Sequence, residues 1–336
     1  MESVAREAEV SASTVSRVLR GDPRISAETA RRVKAVVDRM GYRPNPLVSA
    51  LMTQLRDKSP PAAVCNLAWL DFYPSSGDMA RDPVHMAFVK GAADRARALG
   101  YAIDTILVSE WKHSRLRRFL QNRGIKGVLL PYFEDYQGRA ANIPLPLDEF
   151  TIVGVGIRFE EPDLHYASDD QYESGRLATK KLWSLGYRRI GYIGDARVER
   201  IVNGRFYAGY DATISTELEG HAPVPLITNE FKNIRAWIRR TRVDAVITTS
   251  RNLYSILWEK GIRMPQDIGF AHLNVDDVDG AAPGEVAGVR QDSVGVGANA
   301  VELLVGLLYH NELGVPLHPR GVLVRGTWAP GASVRK

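Results

Sequence analysis

Residues 9–46 read "EVSASTVSRVLRGDPRISAETARRVKAVVDRMGYRPNP", and the fold turns on how that stretch is parsed. From Val4 to Met40 the apolar positions recur at helical spacing in three short blocks, separated by "AEVS" and "RGDPRIS". The spacing predicts three short helices in one small module, closed by Pro44 and Pro46. With Ser11 as the cap of the second helix, Ala12, Ser13, Ser16 and Arg17 face outward while Val15, Val18 and Leu19 face inward. Such a face is small and polar at its N-terminal end and carries an arginine one turn later. It suits entry into a DNA major groove about 12 Å wide, with the arginine reaching guanine edges. A plain amphipathic helix with its hydroxyls on the wet side would show the same pattern.

Charge is compatible with both. Residues 1–58 hold 11 Lys and Arg against 7 Asp and Glu, whereas the rest of the 336-residue chain holds 33 against 32. The excess of positive charge therefore sits mainly in the N-terminal segment, which suits a polyanion, although a basic terminal helix is about as often a solvated face. No early apolar run fits a signal peptide and none is long enough to span a bilayer, so the expected location is the cytoplasm, with no membrane partner. The single cysteine, Cys65, excludes an internal disulfide and a cysteine-cluster metal site.

Working outward, "YRPNPLVSALMTQLRDKSPPA" reads as a linker with a helix from about Leu47 to Leu55, ended by Ser59, Pro60 and Pro61. Beyond it, β-rich runs alternate with amphipathic helices: "VCNLAWL", a helix near 84–99, "AIDTILV", a helix near 114–122, "GVLLP" and "FTIVGV". The rhythm restarts with a helix near 174–185, "RIGYIG", a helix around 206–215, "DAVITT", a helix to Lys260, "IGFAHL" and a last helix near 293–308. This is the βαβ pattern of parallel sheets covered on both faces. The expected architecture is an all-α head at 1–43, a linker at 44–60 and a two-lobed α/β core at 61–336. The first lobe is expected over about 61–157 with a segment near 275–292, and the second over about 168–274 with 293–325. The chain would then cross between them near Gly156–Ser168 and Asn274–Gln291.

"VAREAEVSASTVSRVLRGDPRISAETARRVKAVVDRMGYRPNP" resembles the DNA-binding domain of the LacI/GalR family of bacterial transcription regulators throughout its length. "SDDQYESGRLATKKLWSLGYRRIGYIG" looks like the family's opening of the second lobe, and "GVPLHPRGVLVRGTWAPGASVR" like its C-terminal strand and tail. The resemblance implies a helix-turn-helix head, a hinge helix and a core like that of periplasmic sugar-binding proteins. It implies a homodimer on a near-palindromic double-stranded operator, most often a repressor of carbohydrate-utilisation genes, with a small effector between the lobes. It places Ala12, Ser13, Ser16 and Arg17 at base edges and Leu51 as a wedge in the minor groove. Ser11, Thr14, Arg20, Arg24, Ser26, Thr29, Tyr42 and Asn45 are then the candidates for phosphate contact.

Departures from the family pattern sharpen these expectations. Only Met1, Glu2 and Ser3 precede Val4, where the family has a longer lead with a capping Ser or Thr, so a start upstream of Met1 is favoured. Glu9 stands where the family prefers glycine, which predicts a non-glycine in the left-handed region. Ala12 and Ser13 are short, which shifts base discrimination onto Arg17. In the core, ligand groups are expected beyond the carboxyl ends of the strands. The candidates are Asp71 and Tyr73 after the first strand, Asp170 at the crossing, Arg205 and Phe206, Phe231, and Asn274 after "IGFAHL". Phe206 stands where the family often has a ligand-binding arginine, so a stacked, neutral sugar is favoured over a phosphate or carboxylate.

Other motifs lead elsewhere and are set aside on spacing. "GVGANA" (295–300) satisfies a dinucleotide pattern but lies inside the last helix, with Asp292 as its cap. "NVDDVDG" (274–280) would put Val286 where a calcium loop needs its bidentate Glu. The seven histidines have no metal spacing and no nucleophile motif is present, so neither cofactor nor catalysis is expected. A free periplasmic receptor would share the core but lack the head, and a doubly wound enzyme would need a phosphate loop.

Overall fold

A computed structural model describes residues 2–19, 25–39, 65–73, 75–80, 82–131, 145–159, 161–218, 225–228 and 230–336. The chain divides into two compact units, 1–64 and 65–336. The expected linker helix, with Leu51, lies outside the described residues, as do Arg20, Arg24, Tyr42 and Asn45.

The N-terminal unit is three helices, α1 (Glu2–Glu7), α2 (Ala12–Leu19) and α3 (Ala27–Arg39). Val4 and Ala5 from α1, Val15 and Val18 from α2, and Val33 and Val36 from α3 form its core, with Ala8 just beyond α1, at the positions the helical period assigns. The α1–α2 turn carries Glu9 at φ 51°, so a non-glycine does hold the left-handed position.

The larger unit begins with β1 (Cys65–Asp71), α4 (Ser76–Met79), α5 (Pro83–Ala98), β2 (Tyr101–Leu107), α6 (His113–Asn122), β3 (Gly127–Pro131), β4 (Thr151–Gly156) and β5 (His165–Asp169). It continues through α7 (Gln171–Ser184), β6 (Ile190–Gly194), α8 (Ala196–Ile201), α9 (Arg205–Ala212), β7 (Leu226–Ile227), α10 (Ile234–Thr241), β8 (Ala245–Thr248), α11 (Leu253–Glu259) and β9 (Gly269–His272). It ends with β10 (Ala287–Arg290), α12 (Ser293–Tyr309), β11 (Gly321–Val324) and β12 (Thr327–Ala329). Two six-stranded sheets result, ordered β11-β5-β4-β3-β1-β2 and β12-β10-β9-β8-β6-β7. The second repeats the plan of the first, except that β12 pairs antiparallel where β11 pairs parallel. Every residue of β3, β6 and β8 is buried, which is why those strands read as unbroken apolar runs.

The lobe assignments need correction. Sequence alone makes 156–168 a crossing, but the chain continues there into β5, a fully buried strand of the first sheet. The segment 275–292, expected in the first lobe, contains β10 and pairs with β9 of the second. The stretch 293–325, expected in the second lobe, holds α12, packed on α5, β3, β4 and β5, and β11, paired with β5 of the first. The chain thus crosses at Asp170, at Gln291–Asp292 and at Arg325–Gly326.

Each lobe has a pair of helices drawn together by glycines. A Cβ on Gly297 of α12 would sit 2.1 Å from the Phe88 carbonyl oxygen, and one on Gly91 of α5 would sit 1.9 Å from that of Val294. In the second lobe, Gly175 of α7 and Gly209 of α9 face each other's backbones in the same way. Of the "GVGANA" glycines, Gly297 therefore belongs to a helix crossing and Gly295 to the cap, where Asp292 Oδ1 accepts its amide at 2.8 Å.

Candidate functional site

On the head, the Ser11 hydroxyl accepts the Thr14 amide at 3.2 Å and lies 2.9 Å from the Thr14 hydroxyl, which fixes the start of α2. Ser26 and Thr29 repeat the arrangement at α3, at 3.2 and 2.8 Å. Arg17 is exposed in the last turn of α2. Ala12, Ser13 and Ser16 lie on the same helix, whose register is the one the sequence predicts.

In the core a cavity of about 400 Å³ opens between the lobes. Its walls are the residues that follow the strands. Tyr73 comes after β1, Gly156 ends β4, Asp169 ends β5, Asp195 follows β6, Thr249 follows β8, His272 ends β9 and Asn274 follows it, and Gln291 follows β10. This is the crevice beyond the carboxyl ends of a doubly wound sheet, supplied here by two sheets at once. Phe88 and Phe206 add apolar surface, and Arg197 and Arg251 bring positive charge.

Hydrogen bonds hold most of the polar wall in place. Asp82 accepts the Tyr73 hydroxyl at 2.6 Å and caps α5 through the His85 amide at 2.9 Å. Asp195 caps α8 through the amides of Arg197 and Val198, at 2.8 and 3.2 Å, and donates its own amide to the Thr249 hydroxyl at 3.0 Å. Arg251 pairs with Asp277 and Asp279, at 3.0 and 3.4 Å. Burial, reinforced by the charges of Asp82 and Asp279, pushes the Asp277 carboxyl up to about 6 despite Arg251. Burial also pushes Asp169 up to about 7, with Asp170 adding to the effect and the hydroxyl of Ser174 opposing it. His272 is pushed down to about 4 by burial, so its imidazole is neutral.

The structure brings Tyr73, Phe206 and Asn274 to the cavity and sets the other expected residues apart from its walls. Asp71 is fully buried behind it, where its carboxylate accepts the Tyr73 amide at 3.0 Å and the Trp69 indole N–H at 3.3 Å and lies 2.7 Å from His85 Nε2. Burial alone would raise its pKa, but these partners prevail and hold it below the ordinary carboxylate value. Asp170 caps α7 through the Glu173 amide at 3.0 Å, and the preceding residue, Asp169, faces the cavity in its stead. Arg205 opens α9 one position before Phe206 and lies off the wall. Phe231 packs into the second lobe's core with Ile193, Ile234 and Trp237. Sequence reasoning missed Asp169, His272, Asp195, Arg251 and Gln291. All but Asp169 share a looser signal, a polar residue at or just beyond the end of a strand's apolar run.

Among the described residues no cluster of His, Cys, Asp or Glu suits a metal ion, and no helix is long and apolar enough to cross a membrane. Comparison with known proteins matches residues 1–45 to the family of bacterial regulatory proteins named for LacI and residues 179–334 to the periplasmic binding protein-like domain. The chain's head belongs to the LacI family. Among LacI-family relatives, the HTH-type transcriptional regulator CelR of Thermobifida fusca is 27% identical over 326 residues, 91% of this chain and 90% of its own. MalR of Staphylococcus xylosus is 22% identical over 82% of this chain and 81% of its own. Two solved LacI-family structures share the fold along nearly the whole chain. The CelR–cellobiose complex has a TM-score of 0.61 at 23% identity, covering 98% of each chain. The lac repressor dimer bound to operator and the anti-inducer ONPF has 0.56 at 17%, covering 99% of this chain and 98% of that one. The chain is accordingly a transcription regulator with a helix-turn-helix head and a periplasmic-binding-protein-like core.

Proposed function

We propose that this regulator is a cytoplasmic, homodimeric repressor of carbohydrate-utilisation genes and has no enzymatic activity, and that a neutral, hydroxyl-rich effector in the cleft controls its affinity for operator DNA. The observation that carries the reading is the cavity, whose polar and aromatic groups come from both lobes, so that a ligand gripping them biases lobe closure. Its wall holds five aspartates, Asp82, Asp169, Asp195, Asp277 and Asp279, against the two guanidinium groups of Arg197 and Arg251. That balance disfavours phosphorylated or carboxylated ligands. Phe206 and Tyr73 offer ring faces to a sugar, and Asn274 both donates and accepts. The cellobiose bound to CelR, a relative along 91% of this chain, supports the same class.

The test is calorimetry of the full chain against cellobiose, maltose, glucose, galactose, ribose, their phosphates and acids, and purines, with operator affinity measured alongside. The expected result is binding by a neutral sugar that changes DNA affinity. Tight binding by a phosphate or a purine, or no ligand at all, rejects the reading.

On the head, Ala12, Ser13, Ser16 and Arg17 are the proposed base-reading residues, Leu51 the wedge, and Ser11, Thr14, Arg20, Arg24, Ser26, Thr29, Tyr42 and Asn45 the phosphate contacts. Arg17 has the reach its short neighbours lack. Arg17→Ala is expected to cost about 1 to 3 kcal/mol on the specific operator and little on random DNA, as read by gel shift at fixed salt. Equal losses on both would make Arg17 a phosphate ligand only.

A further inference from the structure

Two buried atoms of the cleft wall have no hydrogen-bond partner, Asp169 Oδ1 and His272 Nε2. Asp169 is 5% exposed and ends β5 of the first sheet, while His272 is 1% exposed and ends β9 of the second. Leaving a buried polar atom unpaired costs about 1 to 3 kcal/mol, and more for a charged group. Such atoms persist where a partner comes and goes. The protein itself satisfies the neighbouring carboxylates: Asp82 through Tyr73, Asp195 through backbone amides, Asp277 and Asp279 through Arg251. In Asp169 it satisfies only one oxygen, Oδ2, with the Ser174 hydroxyl at 3.1 Å.

The character of the second atom follows from its ring. His272 Nδ1 lies 2.6 Å from the Asn274 carbonyl oxygen. The Asn274 amide approaches the same nitrogen at 3.0 Å, but a nitrogen and an oxygen 2.6 Å apart need a proton between them. Nδ1 therefore carries the hydrogen, and Nε2 presents a bare lone pair. Each lobe thus offers the cleft one unfilled acceptor, on the Asp169 side once its carboxyl is ionised above about pH 7.

We propose that Asp169 and His272 form a specificity-determining pair, one acceptor from each lobe, that takes hydroxyl hydrogens from two groups of one effector. A ligand that fills both joins the lobes through its own hydroxyls. An anion without donor hydrogens can fill neither. The inference rests on the cleft being the effector site, and its test separates the two.

Calorimetry compares the full chain with Asp169→Asn and His272→Phe against cellobiose, maltose, glucose, galactose and ribose. Each variant is expected to lose about tenfold or more in affinity for the sugar the parent binds. His272→Gln, whose amide oxygen restores an acceptor, recovers part of that loss. In the parent, the lone-pair nitrogen resonance of His272 shifts as that sugar saturates the cleft, a reading that needs no variant to fold. Binding by parent and both variants with equal affinity, or an unmoved His272 resonance, overturns the pair while leaving the cleft assignment intact. Failure of every sugar to bind the parent overturns the cleft assignment, and the pair with it.

Discussion

A carboxyl held at about 7 by burial, as Asp169 is, changes charge across the neutral range. Its unfolded counterpart ionises near 3.8. Between about pH 4 and 7 the folded chain keeps a proton that the unfolded chain has lost, so stability falls as pH rises through that window. Asp277, at about 6, acts in the same direction up to that pH, and Glu199, also raised by burial, adds to it. His272 opposes them: from 6.5 down to about 4 the unfolded ring holds a proton the buried ring refuses, so its contribution grows with pH. Replacing the Asp169 carboxyl isolates its share. The stability advantage of Asp169→Asn over the parent is expected to grow from near zero at low pH to roughly 4 kcal/mol at pH 8, at about 1.36 kcal/mol per pKa unit. Thermal unfolding of both proteins across that range measures it, and parallel pH curves would remove Asp169 as the source.

At the scale of elements, the approach of α5 and α12 is set by the absence of a side chain at Gly297, where a Cβ would meet the Phe88 carbonyl oxygen at 2.1 Å. Gly306, two and a half turns along the same helix, has open space where its Cβ would be. Gly→Ala within a helix gains about 1 kcal/mol from backbone entropy, and overpacking costs about 1 to 3 kcal/mol. Gly306→Ala is therefore expected to stabilise the core and Gly297→Ala to destabilise it, as read by denaturant midpoints; a gain from both would show that the helices part freely. Such close packing was not legible in "GVGANA", which only its place inside a helix separates from a nucleotide loop. The strands "GVLLP" and "RIGYIG" were legible, because burial on both faces demands unbroken apolar runs. "HYASD" was not, since three of its polar residues each owe their place in the strand to a tertiary contact. His165 Nε2 meets Glu312 at 2.8 Å, the Ser168 hydroxyl donates to the Gly156 carbonyl at 2.7 Å, and Asp169 takes the Ser174 hydroxyl. Misplacing that strand misplaced the crossing. The same boundary hid the cleft carboxylate. Asp169 and Asp170 are chemically identical neighbours, and only the switch from strand to helix sends one into the cavity and the other to a cap.

For the whole molecule, neither lobe is a continuous piece of chain. The first lobe takes β1 to β5 from residues 65–169 and then waits for α12 and β11, while the second is built from α7 to β10 and lacks only the edge strand β12. A ribosome releasing this chain from its N-terminus delivers the first five strands of the first sheet well before the helix that covers them. The Gly91 face of α5 and the faces of β3, β4 and β5 beneath α12 stay bare until residue 309 has emerged. By then all but the last strand of the second sheet has been made. The lobe synthesised first is thus completed late, and its uncovered apolar surface must be kept from other nascent chains for the time it takes to translate the other lobe.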